Sequence, residues 1–344
     1  MALLKFDGFD GASTADLASL FGYVVGGSVG VNTGRFASSL NSTALGWDGN
    51  NTTDYLEIPF GASKSQFVVG IAFQAANNTA VQRVATFRNG STEAFNIVKD
   101  TSGKLNIRAG TSTTSLATGT QVLAGGQWYY LEVKFDYTGS GNPTVTVKVN
   151  VSTDVTYSGS TNSQTSITLV RFGASFSTII CPVSMLLDDF YFLDFTGAQN
   201  NDFLGDVRVE LVVPASESAN VGFAANTGTT YEAVDDVNQD GDTTFIHGNA
   251  DGDSIDFSVT DLSNTPTTIF GVAVQAVAKK TDVGVRSIRT RITSAGNTAN
   301  GSDAALTTSY TASSPQIVEL NPDGNVAWTR SAVEAATIGV EVTN

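Results

Sequence analysis

The stretch "QWYYLEVKFDYTGSGNPTVTVKVNVS" (127–152) constrains the fold more than any other part of the chain. It contains two runs in which apolar and polar residues alternate, joined by "YTGSGNP" (137–143). Alternation with a period of two is the pattern of a half-buried strand, and Gly and Asn supply the backbone freedom or side-chain caps that a tight connection needs. The stretch therefore reads as a hairpin with one face against a core. The same texture recurs in "QFVVGIAFQA" (66–75), "QRVATFRNG" (82–90), "AFNIVKD" (94–100) and "KLNIRAG" (104–110). With 34 Gly, 15% charged residues and hardly any helix-period segments, the expectation is an all-β chain.

At 344 residues the chain is long enough for two domains. "LLDDFYFLDF" (186–195) suits the last central strand of a sandwich, and "TGAQNNDFLGD" (196–206) then supplies turn formers without a periodic core. The boundary is placed there, giving a sandwich over 1–203 and a smaller β-rich domain over 204–344. The second set of strands is expected at "DVRVELVVP" (206–214), "DSIDFSV" (253–259), "TIFGVAVQAVAKK" (268–280), "VRSIRTRITS" (285–294), "AALTTSYTA" (304–312), "QIVELNP" (316–322) and "IGVEVT". Two short helices are expected. One lies in "TADLASLFGY", capped by Ser13 or Thr14 and closing one end of the sheets; the other comes late, capped by Thr329 or Ser331 and carrying Val333 and Ala336.

Charge and composition narrow the function. Eighteen Lys and Arg stand against 33 Asp and Glu, a formal charge of −15, opposite in sign to what neutralises a phosphate backbone or an anionic lipid surface. No run approaches the ~20 apolar residues of a membrane span, so neither nucleic acid nor membrane insertion is expected. The N-terminus "MALLKFDGFDGAST" has too short an apolar stretch for a signal peptide, interrupted by Asp7 and Asp10, so synthesis in a cytoplasm is expected. Cys181 is the single cysteine, which leaves no intramolecular disulfide; its apolar neighbours suggest a small buried hydrophobe. The sequons at Asn41 and Asn89 read as chance products of an Asn/Ser/Thr-rich surface.

Catalytic constellations are hard to assemble from this sequence. His247 is the single histidine, no Gly-x-Ser-x-Gly elbow is present, and one His with one Cys cannot supply the usual zinc ligands. No Gly-rich phosphate loop precedes a helix. Glycoside hydrolysis asks only for two carboxylates, roughly 5–9.5 Å apart, in a groove. Glu132 and Asp136 share a strand face, but they are interleaved with core-type residues and read as solvent-facing positions.

The loop "DVNQDGDTTFIHGN" (236–249) is the candidate metal site. Asp236, Asn238, Asp240 and Asp242 alternate around Gly241, matching the opening of a calcium loop that wraps oxygen ligands around one ion. Its twelfth position is His247 instead of a bidentate Glu, and "TTFI" reads as strand instead of an exiting helix. The alternative is a turn with side-chain caps and no ion. Arg286, Arg289 and Arg291 form a local positive patch that could face an acidic partner or pair with the chain's own carboxylates; only Arg289 and Arg291 share a face by parity. Trp47, Trp128 and Tyr129 could form a sugar platform or pack in the core.

Two resemblances follow. "FGYVVGGS", "GQWYYLEVKFDYTGSGNPTVTVKVNV" and "MLLDDFYFLD" resemble the laminin-G-like, concanavalin-A-like jelly-roll family over the first ~200 residues, which implies a β-sandwich and leaves function open. "NNDFLGDVRVELVVPAS", "DGDTTFIHG", "VAVQAVAKKTDVGVRSIRTRI" and "NPDGNVAWTRSAVEAATIGVEV" are similar to segments of tailed-bacteriophage structural proteins. That resemblance implies a non-enzymatic virion component, in a head decoration, tail or fibre base. It would contact other virion proteins, assemble as a homo-oligomer and in one variant bind a host surface glycan; a glycan hydrolase is the remaining alternative. No cofactor is implied beyond the calcium candidate.

Overall fold

The alternating runs pair into two facing antiparallel sheets, as seen in a computed structural model that describes residues 2–11, 13–20, 22–36, 43–47, 54–75, 81–173 and 185–344. The first sheet has eight strands. Its path runs Ser152–Ser158, Thr144–Val149, Trp128–Asp136, Gln66–Gln74 and Met185–Asp194, then Thr43–Trp47 and Val29–Thr33. Leu3–Asp7 pairs with the second half of Met185–Asp194. The expected hairpin forms in register, from Leu131 opposite Val149 to Asp136 opposite Thr144. The second sheet has seven strands in the order Ser115–Thr118, Leu105–Ala109, Thr92–Lys99, Gln82–Asn89, Ile167–Gly173, Tyr55–Lys64 and Val24–Gly26.

Period-two patterning decides what lies between the sheets. Phe67, Val69, Ile71 and Phe73 from one sheet meet Ala85, Phe87, Phe95 and Ile97 from the other, all at most 1% exposed. Four rings bridge the layers: Phe87 stacks on Phe95 at 4.5 Å, Phe95 on Phe135 at 5.6 Å, and Phe67 lies 5.5 Å from Phe135 and 5.8 Å from Phe87. Such pairs add about 1 kcal/mol each beyond the area they bury. The first helix, Thr14–Ser19, is capped by Ser13, with Asp16 returning the bond in a capping box, and its Leu17 is fully buried in this core.

Residues beyond the sandwich form a third sheet. Pro214–Val221, Ser254–Val259, Thr337–Val342, Ser287–Ser294 and Asn297–Asn300 lie side by side, with Ala304–Ala305 also pairing Ser287–Ser294. The late helix is Arg330–Glu334, capped by Thr329, and it presents Val333 to a small core with Trp328, Ile292 and Ala336. Among the described residues the fold is all-β apart from two short helices.

Two expectations are corrected. Residues 206–213 form no strand; pairing starts at Pro214. Their backbone bonds go elsewhere: the Val209 amide donates to Asp189 Oδ1 at 2.8 Å, and Val213 exchanges bonds with Thr260. Glu132 is also not solvent-facing, being 1% exposed. Parity did put it on the outer face of the eight-stranded sheet, but that face is covered. Val68, Ala72, Tyr130, Tyr191 and Leu193 point outward there and are packed by Phe195, Phe203, Leu204, Val207 and Ile317. Gly70 leaves room for the Tyr191 ring, which a Cβ at that position would meet at 2.0 Å.

Candidate functional site

On the outer face of the seven-stranded sheet, one straight cross-strand row is polar. Register partners run Ser115, Arg108, Asn96, Thr86, Arg171 and Glu57 across six adjacent strands. These positions alternate with Phe, Ile, Ala and Val that face the core, so the same pairing that builds the sandwich lines up this row. Five of its members, from Arg108 to Glu57, are at most 8% exposed. Glu57 Oε1 accepts from Arg88 Nη1 at 2.8 Å and lies 2.6 Å from Arg171 Nη2, while the Tyr55 ring sits 3.8 Å beneath the Arg171 guanidinium. Arg83, fully buried, donates from Nη1 to Glu93 Oε2 at 2.9 Å and to Asn96 Oδ1 at 3.0 Å. Asn96 Nδ2 donates to the Gly110 carbonyl.

Two groups in the row stand apart. Among the described residues, Thr86 Oγ1 and Arg108 Nε are buried with no hydrogen-bond partner. Burial and the neighbouring Arg83 draw the Arg108 pKa down, while Asp100 acts weakly in the opposite sense. Beside the row, at Glu93, Ala109 and Gly110, a cavity of about 580 Å³ opens, lined further by Ser91, Thr92, Ser112 and Asn162. The sequence did carry a signal for this face. In "QRVATFRNG", "AFNIVKD" and "KLNIRAG" the polar alternate positions are Arg, Thr and Asn, side chains able to hold several fixed hydrogen bonds, where an exposed face would favour Lys and Glu.

A second concentration of ionisable groups lies where residues 206–209 meet the sandwich. The "DD" of "LLDDFYF" bulges its strand, and Asp189 sits at φ 51°, in the left-handed region that Asp tolerates. Asp188 accepts from the Arg35 amide at 2.7 Å and the Asp189 amide at 2.8 Å. Arg35 reaches Asp206 at 2.7 Å and Asp189 at 3.5 Å, and Tyr130 donates to the Asp189 carbonyl at 2.9 Å. Asp10 accepts from the Thr43 amide at 2.7 Å, and Asp7 from Tyr23 at 2.6 Å. Burial raises the carboxyl pKa values of Asp188 to about 8, Asp10 to about 7 and Asp189 to about 6, with like charge from Asp189 adding to the rise at Asp188. Glu132 belongs to the same face and accepts from the Tyr191 hydroxyl and, at 2.8 Å, from the Gly205 amide. Of these carboxylates, Asp189 and Glu132 tie the sandwich to the segment that leaves it, through the Val209 and Gly205 amides.

The acidic loop is arranged differently from a calcium loop. Asp240 accepts from the Thr244 amide and hydroxyl, and Asp236 from the same hydroxyl at 3.2 Å. Asp242 turns to Lys279, 2.6 Å away, and to the Tyr310 hydroxyl at 2.9 Å. Asn238 is exposed. "TTFI" leads into Ile246–His247, a short strand paired with Ala224–Ala225. Among the described residues no group of three or more His, Cys, Asp or Glu is placed to hold a metal ion.

Other candidates separate. Arg289 pairs with Glu341 at 2.8 Å, Arg291 lies 3.4 Å from both Glu341 and Asp256, and Arg286 pairs with Asp282, so the patch serves this chain's own acids. Tyr129 packs against the sandwich core and its hydroxyl accepts from the Ala124 amide; Trp128 packs with the outer cluster. Asp136, half-buried, accepts from Gln66 Nε2. His247 is exposed, with Phe245 6.2 Å from its ring. Asn89 donates to Gln164. The side chain of Trp47, together with Asn41 and Cys181, lies outside the described residues.

No known protein-family profile matches the chain, and no curated protein does. Among solved structures it is similar to the alginate lyase Aly36B, at 14% identity over 54% of this chain and 92% of that chain, with a TM-score of 0.37. It is similar also to domain 4 of AbnA, a GH43 extracellular arabinanase from Geobacillus stearothermophilus, in complex with arabinotriose (16% identity, 56% and 92% covered, TM-score 0.39). The cellulose induced protein Cip1 stands alongside at 16% identity, 55% and 96% covered, TM-score 0.38. These likenesses are too slight to carry any of those activities to this chain.

Proposed function

We propose that the chain is a non-enzymatic structural component of a tailed-phage particle, joining other virion proteins in a head decoration, tail or fibre base and repeating there as a homo-oligomer. The observation that supports this reading is the use made of the outer face of the eight-stranded sheet. Glu132, Asp188 and Asp189, the carboxylates that a hydrolytic groove would leave open to substrate, lie 1–3% exposed beneath the chain's own 204–209 segment. There they hold backbone amides and an arginine, so the face serves contacts within the chain. Mass spectrometry and electron microscopy of purified particles test the proposal: the chain should be found at a fixed copy number in a symmetric layer, and particles that lack it would sink the idea.

A second reading is favoured by one specific observation, the exposed hydroxyl and amide side chains of Ser91, Thr92, Ser112 and Asn162 around the cavity beside the polar row. They support recognition of a host surface glycan by the same subunit. Binding of the purified chain to a glycan array, compared with an Asn162→Ala variant, tests it; equal signals from the two proteins would count against the cavity.

A further inference from the structure

We propose that the apolar tip of the 280–286 loop of one copy seats in the recess beside the same loop of a second copy, so that two chains associate about a two-fold axis. This rests on the homo-oligomer of the first reading above and names the surface that would form it.

The loop is the first argument. Val283 is 102% exposed and Val285 69%, the two most exposed large apolar side chains among the described residues. The backbone that carries them is held in place. The Gly284 amide donates to Asp282 Oδ1 at 3.1 Å, Lys280 Nζ to the Gly284 carbonyl, and Arg286 Nη2 to Asp282 Oδ2 at 2.8 Å. Below the tip, the Lys280 amide donates to the Thr307 carbonyl and the Leu306 amide to the Arg286 carbonyl, both at 2.8 Å. A lone exposed valine is ordinary on a protein surface. Two on one braced tip form a fixed knob, which can be buried by a partner with little further loss of freedom.

The recess is the second argument. A cavity of about 1770 Å³ opens between residues 206–213 and 268–280. Its apolar walls include Leu211, Ile246, Phe270, Val272, Val277 and Ala278, all half-buried and so still reachable from solvent. Thr281, Asp282 and Arg286 of the loop also line it, whereas Val283 and Val285 do not. The knob therefore stands on the rim, outside the recess of its own chain. A protruding apolar group next to a recess of the same chemistry makes a self-complementary patch, and a two-fold axis lets each copy fill the other.

Charge fits the same arrangement. Lys280 and Arg286 flank the knob, while Asp236, Asp240 and Asp251 line the recess with no cation paired to them among the described residues. Seating the knob brings opposite charges together, which offsets part of the repulsion between two chains of net charge −15.

Sedimentation velocity of the full chain tests the proposal. The wild type should sediment as a reversible dimer at micromolar concentration. Val283→Asp and Val285→Asp should each raise the dimer dissociation constant about tenfold or more, as expected for an unpaired charge in an apolar seat. Ala278→Trp, which narrows the recess, should do the same, and Val122→Asp, an equally exposed valine on the sandwich, should change nothing. A dimer indifferent to the valine variants or to Ala278→Trp, or weakened as much by Val122→Asp, would overturn this interface and leave the homo-oligomer standing. A lower melting temperature of Val283→Asp at unchanged mass would overturn it by assigning the knob to its own chain. A monomeric wild type would remove the interface and the homo-oligomer together.

Discussion

Tyr191 shows how much a single side chain carries at the covered face. Its hydroxyl donates to Glu132 and accepts from the Leu204 amide at 3.2 Å, so Tyr191→Phe leaves both groups short of a partner in a buried setting. A loss of about 2 kcal/mol in urea unfolding is expected. Alternation in "LEVKFD" placed Glu132 on the outer face, which is where it lies. It could not say that residues 203–207 would come back over that face, because a strand's period reports two sides and not what covers each. Arg108 and Thr86 show the same limit: their strands are legible, but alternation does not report that both are buried. The acidic loop is a case where spacing alone was suggestive. With Asp242 committed to Lys279, the melting temperature is expected to be the same in millimolar calcium and in chelator, and a calcium-dependent rise abolished by Asp240→Ala would reverse that assignment.

Among the elements, hairpins were the most legible because turn and alternation agree in them, as in Trp128–Asp136 with Thr144–Val149. The segment 206–213 was misread because "DVRVELVV" has a strand's alternation while its amides are used by side chains of other elements. The bulged Met185–Asp194 strand and Asp10 near it carry a pH dependence that no pattern could reveal. Burial raises the folded-state pKa values of Asp188, Asp189 and Asp10 above the ordinary aspartate value near 4, that of Asp10 to about 7. Each holds its proton more tightly folded than unfolded. Their contribution is therefore complete below about pH 4 and is lost as pH rises toward 8. Asp10→Asn keeps the acceptor for the Thr43 amide and removes the titration. Calorimetric melting from pH 4 to 8 should show a shallower decline in this variant than in the wild type, and parallel curves would contradict the assignment.

For the whole molecule, the two-sheet architecture was readable from alternation and turn residues, whereas the way later residues lie against the sandwich was not. Residues 1–203 and 204–344 remain our proposed units. Arg35, through Asp206 and Asp189, is the clearest tie that keeps 206–209 on the sandwich. Arg35→Ala should speed limited proteolysis within 204–213 severalfold while the sandwich fragment resists, and an unchanged cleavage pattern would show that the apolar cluster alone suffices. One further contact has a consequence for how the chain reaches this state. The amides of Ala2 and Leu3 donate to the Glu319 carboxylate, and Leu3–Asp7 pairs with residues 190–193. This strand thus pairs with residues far along the chain, and its clamp at Glu319 is 317 residues away in sequence. Closing so long a loop is slow, which places this pairing late in folding and leaves the edge beside Met185–Asp194 open to a neighbour until then.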